Sequence, residues 1–79
     1  MHSVQARDLA VLDGLLEALG KETEPRCKVL REHLESARVF LVGLMPDEYA
    51  LSLKMAGESL DCVSDHDLRA RIMNFVRGT

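Results

Sequence analysis

A seam of apolar side chains between residues 25 and 46 constrains the fold of this chain more than any other feature. Its members recur at alternating steps of three and four residues, a spacing typical of a helix packed lengthwise on other helices. They are Cys27, Leu30, Leu34, Ala37, Leu41 and Leu44. The seam merges with an entirely apolar run at residues 39–45. One neighbouring helix covers only a stripe of such a run, so we expect a bundle interior or a partner subunit to cover the rest.

Size and composition indicate one small helical domain over residues 1–79. Hydrophobic residues make up 47% of the chain and aromatic ones only 4%, and no segment alternates apolar and polar residues long enough for a strand. A chain this short buries only roughly 60–65% of its unfolded surface, so the monomer should have low stability. The two cysteines, Cys27 and Cys62, lack zinc-site spacing and are too few for a disulfide scaffold. We therefore expect helix packing and a homodimer to stabilise the fold.

Glycine and proline divide the first half of the chain into two predicted helices. The first covers about residues 4–19, with Ser3 as its cap and Gly20 as a left-handed terminator. The second begins at Pro25, whose fixed backbone angle suits a first helical turn, and ends near residue 44.

Two more helices are predicted in the second half. The third begins after Pro46, whose acidic neighbours suit a helix amino terminus, and runs to about residue 62. The fourth begins with Ser64 and Asp67 as a capping box and ends near Gly78. One line of the third helix is expected to face the core; it consists of Ala50, Leu53, Gly57 and Leu60. Gly57 on that line would allow another helix to approach closely.

Net charge alternates in sign from helix to helix. Residues 1–25 carry two basic and five acidic side chains, residues 26–45 four and two, residues 46–64 one and four, and residues 65–79 three and two. Short links make consecutive helices antiparallel neighbours, so each lies beside a helix of opposite charge. Since exposed ion pairs contribute only ~0–1 kcal/mol each, the pattern selects topology more than it stabilises. We predict an all-α antiparallel bundle of about four helices, dimeric.

Potential ligands and acid–base groups are densest at residues 61–67. Cys62 and His66 are four residues apart, which on an unbroken helix would suit a metal pair, but the cap signal at Ser64 interrupts the helix. We interpret Cys62 as a small buried apolar group and predict no metal and no cofactor. A metal or thiol sensor built on Cys27 and Cys62 is the second alternative function.

Two other classes of function are weighed against protein binding. Scattered glycines offer no loop for an oxyanion site beside a nucleophile, so we predict no enzyme. A DNA-binding regulator is the first alternative, because the fourth helix carries Arg69, Arg71 and Arg77. A net charge of −3 and a pI near 5.5 argue against nucleic acid, because phosphate contacts need a basic surface.

The predicted function is that of a small regulatory or adaptor protein that binds another protein, as an inhibitor, antiactivator or chaperone does. Its partner-binding or dimer interface is predicted at the apolar end of the second helix, at Phe40, Leu41, Leu44 and Met45. The start of the chain lacks a signal-peptide pattern, and no apolar run approaches the ~20 residues of a spanning helix. We therefore expect a cytoplasmic protein without membrane contact.

Overall fold

A computed structural model describes residues 3–21 and 27–78, with side chains from Ala6 onward. These residues form four α-helices and one 3₁₀ turn. In chain order they are α1 (Ser3–Leu19), α2 (Cys27–Val42), α3 (Pro46–Gly57), the 3₁₀ turn (Leu60–Cys62) and α4 (His66–Arg77). The two described ranges contain no strand, so the all-helical prediction is confirmed. The side chain of Ser3, the predicted cap of the first helix, lies outside the described side chains. Pro25, the predicted start of the second helix, lies outside the described residues.

Helix α2 is the centre of the packing. It contacts both α1 and α3, and α4 contacts α3 and α1. Its buried residues are the first four members of the predicted seam, from Cys27 to Ala37. The rest of the core comes from the other elements; its largest members are Leu12, Leu15, Leu19, Leu53, Leu60, Leu68 and Ile72. Each fully buried leucine contributes about 1.5–3 kcal/mol, so this one cluster supplies most of the apolar stabilisation.

The turn between α2 and α3 places a leucine where glycine is usual. Leu44 has a φ of 58°. Its N–H donates to the carbonyl of Leu41 (3.2 Å), and the Met45 N–H donates to the carbonyl of Phe40 (2.9 Å). This hydrogen-bond pair is the Schellman motif, which ends α2 before its predicted limit. No glycine in the described ranges has a positive φ, so the left-handed termination predicted at Gly20 is wrong.

Helix α3 is shorter than predicted. It ends at Gly57, and residues Leu60–Cys62 form the 3₁₀ turn instead of a further α-helical turn. Leu53 is buried as predicted, whereas Ala50 is exposed. A Cβ atom on Gly57 would lie 3.3 Å from Cγ1 of Val76 on α4. The absence of a side chain therefore lets α4 come close to the end of α3, and the predicted close approach at Gly57 is confirmed.

The cap of α4 is Asp65 and not, as predicted, Ser64. One carboxylate oxygen of Asp65 accepts hydrogen bonds from the backbone N–H groups of Asp67 (2.9 Å) and Leu68 (3.2 Å). These are two of the donors that a helix start leaves without intrahelical partners, and the helix dipole favours a negative charge there. Ser64 lies one residue too early to reach them and is exposed.

A disulfide joins Cys27 to Cys62, with the two Cα atoms 5.2 Å apart and a sequence separation of 35. Cys62 is buried, as predicted. The expectation that no disulfide would help to stabilise the fold is wrong, because spacing along the chain does not reveal which cysteines meet in space. The bond ties the start of α2 to the 3₁₀ turn that precedes α4. In the chain-entropy description, closing a loop of this length stabilises the folded state by roughly 3–4 kcal/mol.

Candidate protein-binding surface

Large apolar side chains are exposed where α2 meets α3. The exposed fractions are 64% for Val39, 55% for Val42, 74% for Leu44 and 41% for Met45. Phe40, between them in sequence, is half-buried. We call these five residues the apolar corner. Single exposed apolar residues are normal on a soluble protein, but a set concentrated in one short segment is the kind of surface that a partner covers.

The four residues predicted for this interface do not all lie on the same surface of the fold. Leu41 lies on the seam of α2, where it is half-buried and packs against the core. The other three predicted residues belong to the apolar corner. Sequence reasoning did not single out Val39 and Val42, although both lie off the seam of α2 and a helix of that periodicity turns such positions away from the core.

Leu44 combines a strained backbone with an exposed side chain. A left-handed conformation costs an L-amino acid roughly 1–2 kcal/mol, a cost that glycine avoids. The chain has a glycine in this turn, but Gly43 is one residue too early to occupy the left-handed position. Because the Leu44 side chain is 74% exposed, burial within the chain offsets little of this cost. Strained residues of this kind cluster at binding sites and switch regions.

Tyr49, in the first turn of α3, lies next to the apolar corner in sequence and packs against the core. Its hydroxyl oxygen is buried and has no hydrogen-bond partner among the described residues. Burial, followed by the negative charge of Asp8 on α1, raises the pKa of Tyr49 to about 12. The phenol therefore stays neutral at physiological pH and brings no charge to this part of the fold.

Two arginines on α2 and α4 have acidic partners within the chain. Arg38 on α2 donates a hydrogen bond to Asp13 on α1, which is the main reason that the pKa of Arg38 is raised above its ordinary value. Arg69 on α4 lies 3.2 Å from a carboxylate oxygen of Asp61. Of the three arginines considered under the DNA-binding alternative, Arg69 is therefore engaged within the chain.

The residues considered for a metal site do not come together as ligands. The sulfur of Cys62 is bonded to that of Cys27, and His66 is exposed at the start of α4. Within residues 3–21 and 27–78, no group of three or more His, Cys, Asp and Glu side chains is placed to hold a metal ion. The helices in these ranges are also too short or too polar to cross a membrane.

The fold and the surface together define a small all-helical bundle with one disulfide and an exposed apolar corner. Comparisons of the chain with protein-family models, with curated proteins and with solved structures find no match. The functional proposal below therefore depends on the chain's own residues.

Proposed function

We propose that this chain is a small regulatory or adaptor protein that acts by binding another protein at the apolar corner. The observation that supports the proposal best is Leu44, whose φ of 58° is strained while its side chain is 74% exposed. Packing within the chain does not account for a leucine there. A partner that covers Leu44 would account for the leucine, because fully burying a leucine side chain contributes about 1.5–3 kcal/mol.

In the purified protein the proposed occupant of the apolar corner is a second copy of the chain. A two-fold contact brings the same surface of both copies together, so the exposed apolar side chains of one copy meet those of the other. The tight turn at Leu44 supports the antiparallel arrangement of α2 and α3, which would place the corner at one end of the bundle. A small bundle of low intrinsic stability also gains from association, since mass action favours whatever the native chain binds.

The proposed role is non-enzymatic. Inhibitors, antiactivators and chaperones act by covering a surface of another protein, and the buried core of such an interface is more apolar than its rim. DNA binding through α4 is the weaker alternative: Arg71 and Arg77 are exposed, but Arg69 is paired with Asp61. Of the second alternative, a metal or thiol sensor, the metal part is weaker still, because Cys62 is bonded to Cys27, whereas the bond does not argue against the thiol part.

The cytoplasmic location expected from the sequence stays a prediction. The disulfide argues against it, because thiols are kept reduced in most cytosols and the few disulfides found there are mostly transient or catalytic. The proposed binding function does not depend on the compartment.

The test uses two exposed apolar residues of the same chain. Leu44→Lys places a charge in the apolar corner, and Val29→Lys places the same charge on α2 outside it, at a valine that is 51% exposed. Both variants should keep the wild-type helical circular dichroism. A partner that co-purifies with the tagged wild type should also bind Val29→Lys. It should bind Leu44→Lys at least about tenfold more weakly, because an unpaired charge is costly to bury. Equal binding to all three proteins would contradict the proposal.

A further inference from the structure

The Cys27–Cys62 disulfide joins the central helix to the segment that leads into the last helix. Cys27 is the first residue of α2, the central helix, and Cys62 ends the 3₁₀ turn that leads into α4. The neighbours of Cys62 in this segment, Leu60 and Val63, are themselves part of the buried core. The bond thus fixes the second half of the chain to the helix on which the core is built.

We propose that folding of this domain is conditional on oxidation of Cys27 and Cys62, so that the protein has its native surface only in an oxidising environment. Two independent features carry the inference. The chain has 79 residues, and domains this small obtain little net stability from one core. The disulfide closes a separation of 35 residues, which removes much of the conformational freedom of the unfolded chain. The inference does not rest on the apolar corner.

The oxidation step needs only a low-molecular-weight disulfide such as oxidised glutathione. One cysteine thiolate attacks its sulfur–sulfur bond, forming a mixed disulfide and displacing one glutathione thiol. The thiolate of the second cysteine then attacks the sulfur atom of the first cysteine in this mixed disulfide. The attack forms the Cys27–Cys62 bond and displaces the second glutathione as a thiol. The two glutathione molecules leave as thiols, carrying the two electrons and two protons that the protein thiols lose.

Burial couples the state of the bond to the state of the fold. Cys27 is 4% exposed and Cys62 is 5% exposed, so a reductant reaches the sulfurs only when this part of the structure opens. Opening is in turn easier once the bond is broken. We therefore expect reduction and loss of structure to occur together, with no long-lived form that is reduced and fully stable.

The test compares melting of the oxidised and reduced wild type by circular dichroism. The oxidised protein is prepared in a glutathione redox buffer, and its bond is verified by thiol alkylation and mass spectrometry. Reduction with dithiothreitol should lower the Tm by about 15–30 °C, or leave no cooperative transition. A reduced protein that keeps the helical signal of the oxidised one at about 37 °C, or that melts within about 10 °C of it, would overturn the proposal.

A double variant, Cys27→Ala with Cys62→Ala, separates the bond from the reagent. Dithiothreitol should not change its melting curve, and it should resemble the reduced wild type in being unfolded or of low Tm. The rate at which dithiothreitol reduces the wild type gives a second readout that does not need a folded variant. This rate should rise with urea in parallel with unfolding, whereas fast reduction in the absence of urea, with helical signal retained, would contradict the coupling of bond and fold.

Discussion

The two ends of α2 differ in the burial of their side chains, in covalent attachment to the rest of the fold and in backbone strain. At its start, Cys27 and Leu30 are buried and a disulfide fixes the helix to the segment before α4. At its end, Val39 and Val42 are exposed and the following turn holds a leucine in a strained conformation. We call the first the closed end and the second the open end. The contrast shows that one helical periodicity can bury side chains at one end of a helix and leave them exposed at the other, and it is the exposed end that we propose as the binding surface.

The starts of the following helices repeat the contrast. Asp65 caps α4 near the closed end with two side-chain hydrogen bonds, whereas Met45 precedes α3 at the open end and makes no such bond. Backbone groups at the open end are satisfied by the turn itself. The open end therefore has fewer interactions that fix it, which is typical of regions that bind partners.

The largest difference should appear on truncation of core and corner residues of α2. Leu34 is fully buried, so Leu34→Ala should lower the free energy of unfolding by about 2–5 kcal/mol. Val39 is 64% exposed, so Val39→Ala should change it by less than about 0.5 kcal/mol. Urea unfolding of dilute protein measures both. A cost for Val39→Ala close to that of Leu34→Ala would show that the open end is covered within the monomer.

Removal of the cap of α4 should have an intermediate effect. Asp65→Ala leaves the N–H groups of Asp67 and Leu68 without their acceptor and should cost about 0.5–2 kcal/mol. Ser64→Ala is the matched control, because Ser64 is exposed and is not the cap. Thermal melts of the two variants distinguish them, and the reverse order of stability would restore Ser64 as the cap.

Relief of the strain at the open end should stabilise the isolated chain while weakening binding. Leu44→Gly removes the cost of a left-handed leucine and should raise the free energy of unfolding by about 1 kcal/mol. The same change removes the most exposed side chain of the apolar corner. Urea unfolding and self-association should therefore shift in opposite directions, and a Leu44→Gly variant that is less stable than the wild type would show that the leucine stabilises its own fold.

Replacement of Tyr49 should have the smallest effect on the free energy of unfolding at neutral pH and the clearest effect at alkaline pH. Tyr49 is the only tyrosine, and the chain has no tryptophan, so tyrosinate absorbance reports it alone. Its pKa should be about 12 in the folded protein and near the usual ~10 in urea. Because the folded-state pKa is the raised one, the contribution of Tyr49 is complete below about pH 10 and is lost as the pH rises towards about 12. Tyr49→Phe should lack this part of the alkaline destabilisation; a folded-state titration near pH 10 would mean that the hydroxyl is solvated.

The helices were predictable because each leaves a local signal. The seam of α2 predicts its buried residues, and Pro46 predicts the start of α3. The residues at the helix ends were less predictable. Leu44 takes the left-handed position although Gly43 precedes it, and Asp65 caps α4 although Ser64 precedes it. In each case the hydrogen bonds of the turn decide which neighbour is used.

The candidate surface and the disulfide were predictable only in part. The apolar run at residues 39–45 marks the surface, but which of its side chains turn inward depends on the phase of α2, so Leu41 packs against the core. The pairing of Cys27 with Cys62 depends on a tertiary contact that is distant in sequence. With two cysteines, composition does not distinguish a bond from two separate thiols.

Sedimentation equilibrium of the oxidised wild type with Leu44→Lys and Val29→Lys tests most directly the claim that the open end of α2 is a docking surface for a second copy. The wild type and Val29→Lys should approach twice the chain mass of 8.8 kDa as concentration rises, and Leu44→Lys should stay at 8.8 kDa. A wild type that remains at 8.8 kDa at every concentration, or a Leu44→Lys variant that associates as strongly as the wild type, would contradict it.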